Sequence, residues 1–196
     1  MGTTRVEAFS DGVFAVAITL LVLDLKVPLH GQGTVADQLG NQWPGYAAYF
    51  VSFLVIGIIW VNHHTLMSKL ARVDRSLLFL NLLLLLTVVF IPYPTAVVAQ
   101  YLRHGGWDAQ VAVAFYSAVM EAMSLAFSAI YLWAGSHHDL LVPSVAVERH
   151  RSAFRQFGFG TVAYLLLIGF SFVSAELALA GHFVLAVFYV FDWTAS

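Results

Sequence analysis

The residues best suited to chemistry stand where the first long apolar segment begins. Arg5, Ser10 and Asp11 precede a run of apolar residues that reaches Leu23. Ionisable groups at the edge of a bilayer-spanning segment are costly, and they persist where they pair inside the protein or serve an ion path. This segment therefore indicates either an internal polar network or a route for ions.

Further polar residues fall at the same depth. The second apolar segment ends in Asn62, His63 and His64, and the third carries Asn81 one to two turns from its start. Because successive spans alternate in direction, these groups meet the start of the first span near one membrane face. Lipid cannot satisfy their donors and acceptors. We expect one structural network there, drawn from Arg5, Phe9, Ser10, Asp11, Asn62, His63, His64 and Asn81.

The two histidines leave a functional alternative open. A histidine titrates near pH 6.5, so a proton relay with Asp11 or pH sensing stands beside the structural network. Adjacent residues such as His63 and His64 point about 100° apart on a helix, whereas a chelating pair is spaced i, i+4. The sequence predicts no metal site.

One carboxyl group, Glu121, falls in the middle of the fourth apolar segment, near Tyr116, Ser117 and Ser124. Two interpretations of this position stay open. Glu121 is either a protonated or hydrogen-bonded side chain inside the bundle, or a member of a carboxylate relay for protons.

One face of the first segment is small and apolar. At 100° per residue, Gly12, Val16, Thr19 and Leu23 fall within about 60° of arc, with Leu20 beside them. Thr19 supplies the single hydroxyl group of this face. The spacing is compatible with ordinary helix packing and with the wall of a pore.

The amino-acid composition is that of an integral membrane protein. Of 196 residues, 60% are hydrophobic and 10% are charged, and the mean hydropathy is +0.82. A soluble domain averages about 25% charged residues. We therefore predict an all-α integral membrane protein. The sequence has no cysteine, which excludes disulfides and thiolate metal sites, and its net charge of −2 indicates no nucleic-acid partner.

Six segments are long and apolar enough to span a bilayer, which takes roughly 20 residues. Turn-forming residues such as Pro28, Gly105 and Gly106 separate them. Gly181 and His182 are interpreted as an interruption of the sixth, so five spans and a surface helix are the alternative. The predicted spans are about 7–27, 43–64, 76–100, 108–134, 154–175 and 177–194.

Basic residues predict the orientation. Only Lys26 and Arg103 flank the spans on one side, and the other seven lie on the opposite side. That side is predicted to be cytoplasmic, together with both termini of a multi-pass plasma-membrane protein. Residues 1–196 are expected to form a single domain. The seven are Arg5, Lys69, Arg72, Arg75, Arg149, Arg151 and Arg155.

No catalytic motif is present in the sequence. It lacks a phosphate-binding loop, a zinc-protease motif, a nucleophile elbow and a dinucleotide fingerprint, and also the Thr-Val-Gly-Tyr-Gly filter loop of ordinary potassium channels. We expect no enzymatic activity and no cofactor. Three classes remain: a channel, a structural membrane scaffold, and a proton-coupled secondary transporter that uses Asp11, His63, His64 and Glu121.

The first half of the chain resembles the transmembrane protein 175 family of potassium channels, in its bacterial single-repeat branch. The main motif is R-x-x-x-F-S-D, here Arg5 to Asp11, followed by the apolar run 12–23. The second half matches in span count and character. The supporting motifs are Trp60-x-Asn62-His63-His64, Arg72-x-Asp74, Leu80-Asn81 followed by four leucines, and Ile91-Pro92-Tyr93-Pro94-Thr95.

This resemblance implies a homotetramer of six-span subunits in the lipid bilayer, with the first span of each subunit lining a central pore for monovalent cations, above all potassium. By offset from the F-S-D triplet, it implies the principal constriction at Val16 and a hydroxyl layer for selectivity at Thr19. Further apolar layers fall at Leu20 and Leu23. Family members often have isoleucine or leucine at the constriction, so the shorter Val16 implies a wider ring.

Overall fold

The protein is built from helices that follow the predicted apolar segments. The computed structural model describes residues 2–25, 34–142 and 150–192, and the side chains of these residues except 150–158, 191 and 192. Of the basic residues that predict the orientation, Lys26 and Arg149 lie outside the described residues. Arg151 and Arg155 lie in a helix, but their side chains are not described.

The described part of the chain contains eight α-helices, and short 3₁₀ turns extend α1 and α5 and follow α6. Within the described ranges there is no β-strand, only an isolated bridge between Leu70 and Leu141. The helices are α1 Thr3–Leu20, α2 Val35–Gly40, α3 Trp43–Ser68, α4 Arg75–Phe90, α5 Pro92–Tyr101, α6 Gly106–Ser136, α7 His150–Ser171 and α8 Ala175–Asp192.

Among the described residues, four helical segments are long and apolar enough to cross a membrane, and they match the first four predicted spans. The last two predicted spans correspond to α7 and α8, whose described apolar parts are shorter. The all-α, multi-pass membrane architecture is confirmed, whereas six as the number of spans stays a prediction. The four segments are Thr3–Asp24, Trp43–Ser68, Arg75–His104 and Gly106–Ser136.

Proline and glycine have different effects at three places along the helices. Pro92 occupies the first position of α5 and kinks the third span without ending it. Gly105 and Gly106 separate α5 from α6 with φ of 65° and 64°, a region that other residues rarely adopt. The interpretation of Gly181 and His182 as an interruption is wrong, because both lie inside α8. Gly181 instead allows close contact, since a Cβ atom there would lie 2.6 Å from Leu167 on α7.

Helix α6 is the centre of the bundle and α1 lies at its edge. The long α6 packs against α4, α5, α7 and α8, and it is the most buried of the four spans. Helix α1 packs against α3 and α4 and is the least buried of them. The subunit therefore leaves much of α1 uncovered.

The loop after α3 and the turn after α6 lie side by side at one end of the bundle. The Val142 N–H donates to the Lys69 carbonyl at 3.0 Å, and Arg72 forms an ion pair with Asp139. The alternation of spans predicts this neighbourhood, because α3 and α6 run in the same direction.

Asp74 stabilises the same end of the bundle through two hydrogen bonds of its carboxylate. Its carboxylate caps α4 by accepting the Leu77 N–H at 2.7 Å, and it accepts the Trp133 indole N–H at 3.0 Å. The Leu77 N–H favours the ionised form and holds the pKa of Asp74 below its usual value. Asp74→Ala should therefore destabilise the protein by about 0.5–2 kcal/mol at neutral pH, the usual cost of losing a cap.

The pH dependence of this effect follows from the lowered pKa. The stabilisation is present above the unfolded-state pKa of Asp74 and is lost as the pH falls through the folded-state value. Thermal denaturation between about pH 7 and about pH 3 should show wild type and variant converging in acid. Asp108→Ala, which removes an exposed carboxylate from the first turn of α6, should have little effect. A difference in Tm between wild type and Asp74→Ala that stays constant down to the lowest pH would contradict the prediction.

Candidate functional site

Three polar side chains from α1, α3 and α4 form a buried hydrogen-bonded chain. Asn81 Nδ2 lies 3.0 Å from Ser10 Oγ, and Asn81 Oδ1 lies 2.8 Å from His63 Nε2. All three residues are buried. They come from helices distant in sequence, and they meet at the depth that the alternation of spans predicts.

The Val6 carbonyl, at the end of this chain, fixes the direction of its hydrogen bonds. Ser10 Oγ donates to the Val6 carbonyl at 2.8 Å, so it accepts from the Asn81 amide. The Asn81 carbonyl oxygen is then left to accept from His63, which must carry its proton on Nε2. His63 Nδ1 is buried without a hydrogen-bond partner, and the Phe14 ring lies 5.4 Å from the imidazole. A charged His63 would bury an unpaired N–H, which favours a structural chain over a proton relay.

Two further pairs join α1 to α3 beside this buried chain. The Trp60 indole donates to Asp11 Oδ1 at 2.8 Å, and His64 Nδ1 lies 2.7 Å from Glu7 Oε1. The His64 side chain is 63% exposed, so this pair lies at the surface of the subunit. Asp11 and His64 are thus brought to the same end of the bundle without entering the buried chain.

Sequence reasoning missed Glu7 and Trp60 as partners, although a signal for both exists. Glu7 and Asp11 are spaced i, i+4 on α1, and Trp60 and His64 are spaced i, i+4 on α3. Because the two helices run antiparallel, the earlier residue of one pair faces the later residue of the other pair. The pairs Glu7–His64 and Asp11–Trp60 have this order.

The other three residues of the predicted network lie elsewhere. Arg5 and Phe9 are exposed on α1. Asn62 is buried and lines a groove between α3 and α8 that Thr65 and Tyr189 also line. The structure does not bring these three side chains into the buried chain.

One face of helix α1 packs against the other helices of the subunit, and the opposite face does not. The inward face contains Val6, Ser10, Phe14, Ala17 and Leu21, all buried. The opposite face is open in the subunit, with Val16 54% and Leu23 74% exposed. We call this surface the open face of α1, and it consists of Gly12, Val16, Thr19, Leu20 and Leu23.

The hydroxyl group of the open face has a fixed orientation. Thr19 Oγ1 donates to backbone carbonyls of its own helix, with Ala15 O and Val16 O both at 2.9 Å. Its single proton is therefore used within α1. The oxygen lone pairs stay available outside the helix, where they can accept a hydrogen bond or contact a cation.

Comparison with known proteins identifies the family to which this chain belongs. The family model described as endosomal/lysosomal potassium channel TMEM175 matches residues 5–92. A potassium channel of Streptomyces collinus is 53% identical over 96% of this chain and 91% of its own length. The chain belongs to the TMEM175 family.

Two results extend the TMEM175 family assignment to the second half of the chain. A potassium channel of Chamaesiphon minutus is 40% identical over 95% of this chain and 93% of its own length. The crystal structure of a lysosomal potassium-selective channel TMEM175 homolog from Chamaesiphon minutus aligns with a TM-score of 0.86 at 38% identity, covering 97% of both chains. The resemblance that rested on the first-half motifs is thus confirmed for the whole fold.

The family model covers all the helices that build the site. Residues 5–92 contain α3, α4 and nearly all of α1, and therefore both the buried chain and the open face. The described part of this TMEM175 subunit contains no cluster of three or more His, Asp or Glu side chains able to hold a metal ion.

Sequence reasoning did not anticipate a second buried hydrogen-bonded chain. Thr95 Oγ1 donates to the Ile91 carbonyl at 2.8 Å, so it accepts from Ser52 Oγ at 2.7 Å. Ser52 in turn accepts from the Tyr116 hydroxyl at 3.1 Å. This chain ties α6 to α3 and α5, and it ends on a backbone carbonyl like the first one. The only signal in the sequence is the isolated hydroxyl groups inside apolar spans.

Proposed function

We propose that the chain is a potassium-permeable cation channel in which α1 of four identical subunits lines a central pore. The open face of α1 carries this proposal. A lipid-facing surface needs only apolar side chains, but this face includes Gly12 and the outward oxygen of Thr19. Two relatives that align with nearly the whole chain are named potassium channels, which supports the same function.

In this proposal the open face supplies both the gate and the selectivity. Val16, Leu20 and Leu23 form apolar layers, and a narrow apolar ring opposes ion passage because it dewets. Four copies of Thr19 place hydroxyl oxygens between these layers, where they replace part of the hydration shell of an ion. No carbonyl filter, cofactor or catalysed reaction is needed.

The proposal extends to assembly and location. The homotetramer lies in the lipid bilayer of the plasma membrane, and both termini face the cytoplasm. The basic loop between α3 and α4 then also lies on the cytoplasmic side, as the bias of lysine and arginine predicts. The buried chain of Ser10, Asn81 and His63 fixes α1 against α3 and α4, so that its opposite face meets the pore axis.

A proton-coupled transporter is the second candidate. It would use Asp11, His63, His64 and Glu121. Two features weaken it: Asp11 accepts from Trp60, and the donors of the buried chain end on a backbone carbonyl. Glu121 lies on α6, on a different helix from the other three residues.

Recordings from purified protein in a planar bilayer distinguish the classes. With potassium at different concentrations on the two sides and no proton gradient, a channel passes current that reverses at the potassium equilibrium potential. A transporter would show saturable flux that requires a proton gradient, and a scaffold would show neither. Either of these two results would overturn the channel proposal.

Thr19→Val should lower the preference for potassium over sodium while the protein still assembles. Valine keeps the shape of threonine but removes the oxygen that contacts the ion. The permeability ratio should fall about fivefold, which corresponds to about 1 kcal/mol for one lost polar interaction. Reversal potentials with potassium on one side and sodium on the other measure this ratio.

Two controls make the Thr19 result specific. Thr19→Ser keeps the hydroxyl group and should keep most of the selectivity. Thr87→Val removes a hydroxyl from α4 that also donates to its own helix, to the Leu84 carbonyl at 2.7 Å, and should leave selectivity unchanged. An unaltered reversal potential in Thr19→Val would show that Thr19 does not contact the ion.

A further inference from the structure

A stripe of polar side chains runs along α6 and faces α7 and α8. Ser124 Oγ lies 3.2 Å from Thr161 Oγ1 on α7, and Ser117 Oγ lies 2.8 Å from His182 Nε2 on α8. These contacts place the stripe inside the α6–α8 part of the subunit, whereas α1 packs against α3 and α4. The polar stripe of α6 consists of Ser117, Glu121, Ser124 and Ser128.

Glu121 is the acidic member of the polar stripe, and part of its carboxyl group is unpaired. The residue is 7% exposed. Its Oε2 atom is shielded and has no hydrogen-bond partner within the described residues. An ionised carboxylate with this oxygen shielded loses water there without gaining a donor from the described residues, which costs more free energy than burying the neutral acid.

His182 does not supply a positive charge to Glu121. Ser117 Oγ already donates to the Val113 carbonyl at 2.9 Å, so His182 donates to Ser117 through Nε2. Its Nδ1 atom is buried without a partner, and its ring contacts those of Tyr116 and Tyr164 at 5.0 and 5.5 Å. This geometry is that of a neutral imidazole.

The other titratable side chains described near Glu121 on these helices are tyrosines. Tyr164 on α7 lies within electrostatic range of both Glu121 and Tyr189 of α8. On the α4 and α5 side, Tyr93 is the one titratable residue between positions 76 and 100, and it is exposed. The backbone of Arg155 on α7 is offset from that of Glu121 by about 13 Å along the antiparallel helix axes, counted from the Ser124–Thr161 contact.

We propose that Glu121 is a proton-binding site of the α6–α8 part of the subunit, separate from the proposed pore. The protonated acid is neutral and brings its own O–H donor into a stripe of hydroxyl acceptors. A proton also needs no cavity and no further carboxylate, unlike a metal ion. Release of the proton would leave an unpaired charge between three packed helices, so alkaline pH should loosen α6 against α7 and α8.

Thermal denaturation of the purified oligomer in lipid nanodiscs tests this site without measuring ion flux. Failure of the channel proposal would therefore leave the result interpretable. Because the folded protein favours the protonated acid more than the unfolded chain does, the contribution of Glu121 to the wild-type Tm should be largest at about pH 5. It should fall by a few degrees for each pH unit between about pH 5 and the pH at which Glu121 ionises.

Two substitutions make the measurement specific. Glu121→Gln mimics the neutral acid and should remove the component of the pH dependence assigned to Glu121. Glu176→Gln removes an exposed carboxylate at the start of α8 and should leave the wild-type profile unchanged. Equal profiles for Glu121→Gln and wild type would overturn the proposal.

Infrared difference spectroscopy of the wild type gives a second readout, which holds even if Glu121→Gln fails to fold. A buried protonated carboxyl group has a C=O stretch distinct from that of a carboxylate. This band should be present at neutral pH, disappear on alkalinisation, and be retained in Glu176→Gln. Its absence from wild type at neutral pH would show that Glu121 is ionised and would also overturn the proposal.

Discussion

Phenylalanine at position 16 should stop potassium flux, and alanine at the same position should raise it. If four copies of Val16 form the narrowest ring of the proposed pore, the volume of this side chain sets the width of the constriction. Four phenyl rings should reduce flux more than tenfold by closing and dewetting the ring, an order-of-magnitude expectation. Four methyl groups should widen the ring and weaken discrimination among cations.

A series of alanine, valine, leucine and phenylalanine at position 16 gives the decisive measurement. Potassium flux into liposomes is compared with the thermal stability of the same oligomer. On an ordinary packing face, the substitutions would act through a cavity or through overpacking, and both lower stability. Flux that follows stability instead of side-chain size would refute the pore assignment.

A control for the series lies on the opposite face of the same helix. Ala17 is buried against the subunit, so Ala17→Val should lower stability through overpacking. It should not produce the graded change in conductance expected at Val16. The contrast between two neighbouring positions separates the open face of α1 from its packed face.

Periodicity was sufficient to place Gly12, Val16, Thr19 and Leu23 on one face of α1, with Ser10 and Asp11 pointing elsewhere. Buried residues recur every three to four positions, from Val6 through Ser10 and Phe14 to Ala17, which is the pattern of a helix packed on one side. The alternation of spans predicted the depth of the polar groups. Neither argument depends on side-chain conformation, and both correspond to what the structure shows for Ser10, His63 and Asn81.

The pairing of individual polar groups was harder to predict. Whether Asp11 reaches His63 or the Trp60 indole depends on rotamers and on the relative rotation of α1 and α3. His182 shows the same limit: beside Gly181 it suggests a break in the sixth span, yet it is buried inside α8. The reason is a contact with Ser117, a residue 65 positions earlier, and local sequence carries no information on such a partner.

The site therefore divides into a part that local rules determine and a part that packing determines. Helical spacing alone places Gly12, Val16, Thr19 and Leu23 on one face of α1, whereas the exposure of that face comes from the packing of the subunit. The polar stripe of α6 needs the positions of α7 and α8, because the role proposed for Glu121 depends on its Oε2 atom having no partner among the described residues. In the buried chain, the alternation of spans predicts the depth of the residues, and packing decides which of them pair. Asn81 is the central residue of this chain.

Asn81→Ala should strongly destabilise the oligomer. Asn81 forms hydrogen bonds to both Ser10 and His63 in the buried chain. Its removal leaves the His63 Nε2–H without an acceptor, at a cost of about 1–3 kcal/mol for the orphaned group. Ser10 loses less, because it still donates to the Val6 carbonyl. Size-exclusion chromatography and thermal denaturation should show loss of the oligomer or a lower Tm.

Asn62→Ala is the matched control. It removes a buried asparagine from α3, and the Asn62 side chain makes no hydrogen bond in the part of the subunit that the structure describes. Its effect on stability should be clearly smaller than that of Asn81→Ala. Equal effects would show that the loss of volume, and not the orphaned imidazole, causes the destabilisation.

The double variant His63→Phe with Asn81→Leu separates a structural role from a proton relay. Replacing both partners by apolar groups of similar size removes the orphaned donor, and such a change is close to neutral when a hydrogen bond is purely structural. Phe14 already contacts the ring at position 63, so a phenyl ring has an apolar neighbour there. The double variant should therefore be more stable than Asn81→Ala and should still conduct potassium. A stable double variant without flux would mean that the polar groups themselves serve conduction, and the buried chain would then be part of the ion path.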